Sequence, residues 1–194
     1  ILLAIVNFFA AFWYIIIVAL GGLIFFARRW LATSSGRRAW DAFKLNAPIF
    51  NSLLRKMYMA RFARTAQVLL SSGVSMIETL KISSEAVNNV LIRDELLQAV
   101  NKVKNGKALS EALTNREYIL PFVPQMIKIG ESSGGIDAML AKIADYYDKE
   151  VDNAIAAIST LIEPVLMILM AIMIGFIVLA VLLPIYGLTD TSTL

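Results

Sequence analysis

Three glycines, Gly130, Gly134 and Gly135, stand just ahead of a long amphipathic pattern in the stretch GESSGGIDAMLAKI. A glycine-rich turn that leads into a helix is a common phosphate site, because the helix N-terminus presents free backbone N–H groups to an anion. The spacing of Gly130 and Gly135 matches a Walker A loop, but Ile136 stands where that loop needs its lysine. Glu131 would also set a carboxylate inside the phosphate cradle. The stretch therefore predicts a corner between two helices and no nucleotide site.

The composition narrows the chemistry further. The chain has 194 residues, with neither cysteine nor histidine, which excludes thiolate and histidine metal sites and Ser-His-Asp triads from this sequence. The carboxylates of Asp145, Asp148 and Asp152 have the spacing of a helix face and not that of a calcium-binding loop. We therefore expect no cofactor or metal site. Acidic and basic side chains remain for catalysis, but no paired catalytic groups are visible at membrane depth, so we also expect that the chain is not an enzyme. The net charge of +3 is modest and does not indicate a nucleic-acid partner.

Two uncharged apolar segments account for much of the hydrophobic share of 58%. They are residues 1–27 and residues 165–183, and each is long enough to cross a bilayer core, which takes about 20 apolar residues in a helix. Trp30, just past the first segment, fits an interfacial aromatic belt. We predict transmembrane helices at 1–27 and 163–186. Because the first segment exceeds one span, an alternative is that residues 1–9 lie along the outer surface of the membrane.

The charge distribution predicts the orientation of these spans. All 18 Lys and Arg residues lie between Arg28 and Lys149. By the positive-inside tendency, this joining segment is cytoplasmic, and both ends of the chain, including the tail 187–194, lie outside. Residues 28–50 are interpreted as a basic juxtamembrane strap, whose arginines either favour anionic membrane lipids or only mark the topology.

Helical periodicity and helix-ending residues recur through residues 51–162, with no sustained strand alternation. Gly73 suits a positive φ after a helix, and Ser75 with Glu78 forms a capping box. The Asn-Gly pair at 105–106 closes a third helix, and Gly130 is expected to end the fifth. We predict an all-α fold, namely an integral membrane protein with a cytoplasmic antiparallel six-helix bundle between two transmembrane helices.

The sixth predicted helix has no stop before the second apolar segment. Residues 136–183 could form one rod of roughly 70 Å at 1.5 Å per residue. Pro164 removes a backbone hydrogen bond and is predicted to kink this rod at the membrane interface. The hypothesis is that the corner at Gly130, Gly134 and Gly135 and the kink at Pro164 form the two ends of one lever.

Candidate partner contacts lie on charged side chains of the predicted bundle. Arg61 and Arg64 could dock on acidic surfaces of other proteins, and Glu131 is a third candidate. For the arginines, a solvated helix charge or an internal salt bridge to Asp145 or Glu131 is an equal alternative. The small-residue spacing of residues 171–175 permits close approach of a second copy of the chain, which fits a homo-oligomer.

Four longer stretches resemble one known family. They are residues 60–89, 105–113, 124–152 and 161–186, which begin ARFARTAQVLL, NGKALSEAL, PQMIKIGESSGG and LIEPVLMILMA. The sequence resembles the type II secretion system F family, which includes the PilC- and GspF-like inner-membrane platform proteins of type IV pili and type II secretion. The family often has Glu and Gly-Arg around GESSGGID, where this chain has Ser132 and Gly-Gly.

The resemblance implies a function that composition does not show. It implies a platform in the bacterial inner membrane that pilins or pseudopilins pass as they join a growing filament, with work supplied by a cytoplasmic hexameric ATPase. Other inner-membrane assembly proteins are implied partners, and this chain corresponds to the C-terminal half of a family member. The main alternative is a small-substrate transporter or channel subunit, which needs polar groups inside its spans. Only Asn7 and Glu163 qualify.

Overall fold

The computed structural model describes residues 21–23, 25–26, 28–47 and 50–189. Most of the predicted first span, and the end of the predicted tail, therefore lie outside the described residues. These residues are helical apart from short connections, and no strand occurs among them, which confirms the all-α class. The chain divides into two compact units, Ile1–Asp148 and Lys149–Leu194.

Seven helices can be delimited within the described residues, and the described part of 21–31 is also helical. The seven are α1 (Ser34–Asn46), α2 (Asn51–Ser71), α3 (Met76–Ala86), α4 (Val90–Lys104), α5 (Leu109–Leu113), α6 (Phe122–Ser133) and α7 (Ile136–Thr189).

Several helix ends follow the local sequence signals. Gly73 and Gly106 take left-handed conformations, with φ of 81° and 84°, just after α2 and α4. Glycine adopts this conformation without the steric cost that a Cβ brings. At the start of α3, the Ser75 hydroxyl accepts a hydrogen bond from the Glu78 N–H at 3.4 Å. These positions confirm the predicted ends of α2 and α4 and the predicted start of α3.

The predicted helix end at Gly130 is wrong. Helix α6 continues through Gly130 to Ser133, and it is Gly134 that turns the chain, with a φ of 74°. Gly130 is buried where α6 meets the beginning of α7. A Cβ added there would lie 2.9 Å from the Ile136 Cα and 3.0 Å from the Met139 Cγ. Glycine at 130 thus permits two helices to approach closely, which a local sequence pattern does not distinguish from a turn.

One apolar core holds the first unit together, and each of the seven helices contributes to it. Burying a large aliphatic or aromatic side chain stabilises a fold by about 1.5–3 kcal/mol, so the shared core is the main source of stability. Its largest members in chain order include Leu45, Met59, Phe62, Leu80, Ile92, Leu113, Ile127, Leu140 and Ile143.

The centre of the predicted basic strap folds as α1, which packs on α2 and α4. Leu45 of α1 is fully buried. The buried carboxylate of Asp41 accepts a hydrogen bond from the Val90 N–H at 2.9 Å and lies 2.6 Å from the Lys44 Nζ. Helix α1 is therefore an integral part of the first unit. Its juxtamembrane position stays a prediction.

The second unit consists of the later part of α7. This helix continues through Pro164 without interruption, and residues 165–182 are all exposed. Among the described residues, α7 is the one helix whose length and composition would let it cross a membrane. A helix that is apolar all round is typical of a membrane span. The kink predicted at Pro164 stays a prediction.

The packing of α1 leads to a stability prediction. In a fragment of residues 28–148, we expect a helical circular dichroism spectrum and a cooperative urea transition. Leu45→Ala should lower the free energy of unfolding by about 2–4 kcal/mol, because it leaves a cavity in the core. The matched control Asn46→Ala changes an exposed neighbour and should stay within about 0.5 kcal/mol. Equal effects of the two substitutions would contradict the placement of α1 in the core.

Candidate functional site

Glu131, a predicted partner contact, binds within its own chain. Its Oε1 accepts hydrogen bonds from the N–H groups of Leu109 at 2.6 Å and Ser110 at 3.2 Å. Its Oε2 accepts a third from the Ser110 hydroxyl at 2.5 Å. The N–H groups of Leu109 and Ser110 are the first two of α5. Ala108, which precedes them, provides no side-chain cap for this helix. A carboxylate at a helix N-terminus satisfies its free N–H groups and opposes its partial positive charge, so Glu131 fixes α5 to α6.

The corner between α6 and α7 consists of Gly134 and Gly135. Gly134 is left-handed, whereas Gly135 has an ordinary conformation, and an added Cβ at Gly135 would be 3.7 Å from its nearest neighbour, the Ser133 Oγ. The Gly135 carbonyl accepts the Met139 N–H at 3.1 Å, which begins the hydrogen bonding of α7. The corner thus joins a helix to a helix, whereas a Walker-type phosphate loop joins a strand to a helix.

Arg64 ties α2 to the first turns of α7. Its Nη2 donates hydrogen bonds to Asp145 Oδ1 at 2.7 Å and to Asp148 Oδ2 at 2.8 Å. Hydrogen bonding to Asp148 and Asp145 raises the pKa of the Arg64 guanidinium above its ordinary value, so the group stays charged. The internal ion pair with Asp145 was one of the alternatives that the sequence left open. All three side chains are about half exposed, so water screens the pairs and their role is mainly to orient α7.

Arg61 differs from its neighbour Arg64. It is exposed on α2, and it has no ion pair or hydrogen bond from its side chain within the part of the chain that the structure describes. Residues three apart on a helix lie on the same side, so Arg61 is next to the Arg64 cluster. Of the three predicted partner contacts, it is the one whose charge is not engaged internally.

A groove of about 840 Å³ opens between α5, the connection 114–121 and α6. Its walls carry charges of both signs, from Glu111, Arg116 and Lys128. The Arg116 side chain is held by hydrogen bonds to the Ala112 carbonyl at 3.2 Å and to Gln98 Oε1 at 2.7 Å. Within the described ranges, no group of three acidic side chains could share a metal ion. The groove therefore has a lining of mixed character, with charged, polar and apolar side chains.

The sequence patterns missed two other carboxylates that act as Glu131 does. Glu95 of α4 accepts hydrogen bonds from the N–H groups of Glu117 at 3.1 Å and Tyr118 at 3.0 Å. Asp41 of α1 accepts the first N–H of α4, from Val90. Both contacts join segments that are far apart along the chain, so no capping motif of adjacent residues signals them. The sequence signal that could have found Asp41 and Glu95 is an acidic residue on the core-facing side of a predicted helix.

A family model described as "Type II secretion system (T2SS), protein F" matches residues 62–184. The match runs from the middle of α2, through the corner and the Arg64 cluster, to the apolar part of α7.

Similarity to individual proteins agrees with this match. The chain is 39% identical over 170 residues to the type IV pilus assembly protein PilC of Thermus thermophilus, which covers 87% of this chain and 42% of that protein. It is 37% identical over 174 residues to the type II secretion system protein F of Pseudomonas aeruginosa, covering 90% of this chain and 43% of that protein. It is also 33% identical over 182 residues to the protein F of Aeromonas hydrophila, covering 94% and 46%.

The chain thus spans less than half the length of these relatives. The matched residues 62–184 nevertheless make up more than half of the chain itself. The chain belongs to the type II secretion system protein F family.

Proposed function

We propose that this chain is part of an inner-membrane platform protein of a type IV pilus or type II secretion machine. Such a platform couples a cytoplasmic assembly ATPase to the insertion of pilins or pseudopilins into a filament. The observation that carries the proposal is the family match over residues 62–184, which includes the helical unit from the middle of α2 onward and the apolar part of α7. The relatives include a type IV pilus assembly protein and type II secretion system proteins, so the proposal names both machines. None of the names cited is that of a transporter or channel.

In the proposed topology the segment that joins the two spans, with helices α1 to α6 and the beginning of α7, lies in the cytoplasm, and both ends of the chain lie outside. The confinement of all Lys and Arg residues to the range 28–149 supports this orientation. The uninterrupted exposure of residues 165–182 on α7, none of them charged, supports a membrane span there. The apolar residues 1–27 would supply the other span.

We assign the transmission of mechanical force to α7, because this helix has residues in both units. Leu140, Ile143 and Tyr147 of α7 are buried in the core of the first unit, and the same helix continues into the apolar segment. A displacement of the core would therefore act directly on α7. Pro164 lacks one backbone hydrogen bond, which lowers the energy needed to bend the helix there. The platform itself supplies no nucleotide chemistry in this proposal.

Arg61 is the side chain that we assign to an acidic partner surface, on the ATPase or on a pilin. Arg64 and Glu131 are engaged with Asp145, Asp148 and the start of α5, so their primary roles are internal. Homo-oligomer formation and contacts with other inner-membrane assembly proteins complete the proposed set of partners.

Crosslinking tests the proposed function and this assignment together. In cells that make the full-length protein, crosslinking followed by detergent purification should recover the assembly ATPase and pilins or pseudopilins. Arg61→Glu should reduce the yield of one of these partners severalfold, because it reverses an exposed charge. Lys104→Glu reverses an exposed charge on α4 and serves as the matched control. Ion or solute flux through reconstituted liposomes, without recovery of any assembly protein, would favour the channel alternative.

The three glycines near the corner provide a graded test. Gly134→Ala forces a Cβ into a left-handed conformation and should destabilise the first unit by about 1–2 kcal/mol. Gly130→Ala should cost about 1–3 kcal/mol, because the new methyl group collides with the backbone of α7. Both should lower filament or secretion output per molecule in the membrane. Gly135→Ala is the control, and a loss of output as large as that of Gly134→Ala would contradict the proposed corner.

Pro164→Ala tests whether bending of α7 matters for assembly. Alanine restores the missing hydrogen bond and is the better helix former, so protein level and stability should be unchanged or higher while output falls. Val165→Ala, at an exposed neighbouring position with an intact backbone donor, should leave output unchanged. Normal output from Pro164→Ala at normal abundance would refute the role of a flexible point in α7.

A further inference from the structure

Helix α1 has two faces of opposite environment. Its inner face carries Asp41 and Leu45, which are buried against the first unit. At 100° per residue, Trp40 and Phe43 lie on the side opposite Leu45. Their side chains are 46% and 64% exposed, and their rings stack with centroids 5.8 Å apart. An exposed pair of large aromatic rings on an otherwise docked helix marks an interaction surface.

The chain places this surface close to the predicted first span. Residues 28–33 alone separate α1 from the apolar run 1–27, and six residues reach at most about 20 Å. The Thr33 hydroxyl donates a hydrogen bond to the Trp30 carbonyl at 2.6 Å and accepts one from the Gly36 N–H at 3.1 Å. A Cβ at Gly36 would collide with that same carbonyl. Helix α1 is thus held tightly against the segment that emerges from the predicted span.

Three arginines on α1 and on the segment that precedes it carry charge that no carboxylate of the described residues balances. Arg28, Arg29 and Arg37 are exposed, and no ion pair engages them within the described residues. Arg37 bonds only the neutral amide of Asn88, at 3.1 Å. The acidic groups on and beside α1 are already paired, in Asp41–Lys44 and Arg38–Asp94.

We propose that the outward face of α1, with Trp40 and Phe43 at its centre, lies in the headgroup layer of the membrane. Tryptophan favours that layer, and arginines near the surface are attracted to anionic headgroups. A membrane offers an interfacial layer for the aromatic rings and anionic headgroups for the arginines, and the predicted first span places α1 next to it. Because Asp41 and Leu45 fix α1 to the core, the contact determines which side of the first unit faces the bilayer. The inference rests on the proposed function, since it takes residues 1–27 as a membrane span.

Single-tryptophan variants of the full chain test this contact. The Trp40-only variant carries Trp13→Phe and Trp30→Phe, and the Trp13-only variant carries Trp30→Phe and Trp40→Phe. Each is reconstituted into liposomes that contain anionic phospholipid, with or without bromine atoms on the acyl chains, placed either shallow or deep. The fluorescence emission of Trp40 should lie at a shorter wavelength than that of a tryptophan exposed to buffer. Shallow bromines should quench this emission more than deep ones.

The outcomes separate the two proposals. Quenching of Trp13 without quenching of Trp40 would overturn the membrane contact of α1 and leave the span in place. No quenching of Trp13 would overturn the span itself, and with it the proposed topology. Ile129→Trp in an otherwise tryptophan-free chain is the control, because position 129 is 54% exposed on α6. Equal quenching at positions 40 and 129 would show general adsorption and would also overturn the inference.

Discussion

Carboxylates that cap the start of a distant segment are the interaction on which the first unit depends. A helix leaves its first N–H groups unpaired, and burying them without a partner is costly. Two acidic side chains meet this requirement at helix starts, Asp41 at Val90 and Glu131 at Leu109 and Ser110. A third, Glu95, accepts the N–H groups of Glu117 and Tyr118 in the connection 114–121. Each carboxylate accepts hydrogen bonds from backbone N–H groups and also fixes the position of one segment on another. At Val90, Leu109 and Ser110 these carboxylates supply acceptors for partly buried N–H groups, which lie beside the apolar core without an unmet hydrogen bond.

One of these caps, that of Glu131, acts with two further contacts to connect the elements around the beginning of α7. Glu131 holds α5 to α6, and the neighbouring Gly130 brings α6 against α7 without a side chain between them. Arg64 adds a tie from α2 through Asp145. The first turns of α7 are therefore held by core packing, close backbone contact and an ion pair. A helix anchored in this way is suited to pass on a displacement of the unit that holds it.

Helix α1 shows why a charge pattern is not sufficient to assign a segment. Its arginines suggested a strap, and the residues that decide its position are a buried acid and a leucine, Asp41 and Leu45. Once these anchor one face, the aromatic residues Trp40 and Phe43 are left on the other. A single short helix can thus take part in a folded core and offer an apolar surface at the same time.

What the sequence by itself determined is local. The helical class, the left-handed glycines at 73, 106 and 134, the Ser75 cap and the apolar segment of α7 follow from residues within one or two turns of each other. Tertiary structure alone decided that Gly130 packs against α7, that Arg64 pairs with residues 81 and 84 positions away, and that Asp41 caps a helix 49 positions away. The physical reason is that a cap or turn is satisfied by its neighbours in the chain. An ion pair or a close approach needs a partner that only the folded core brings near.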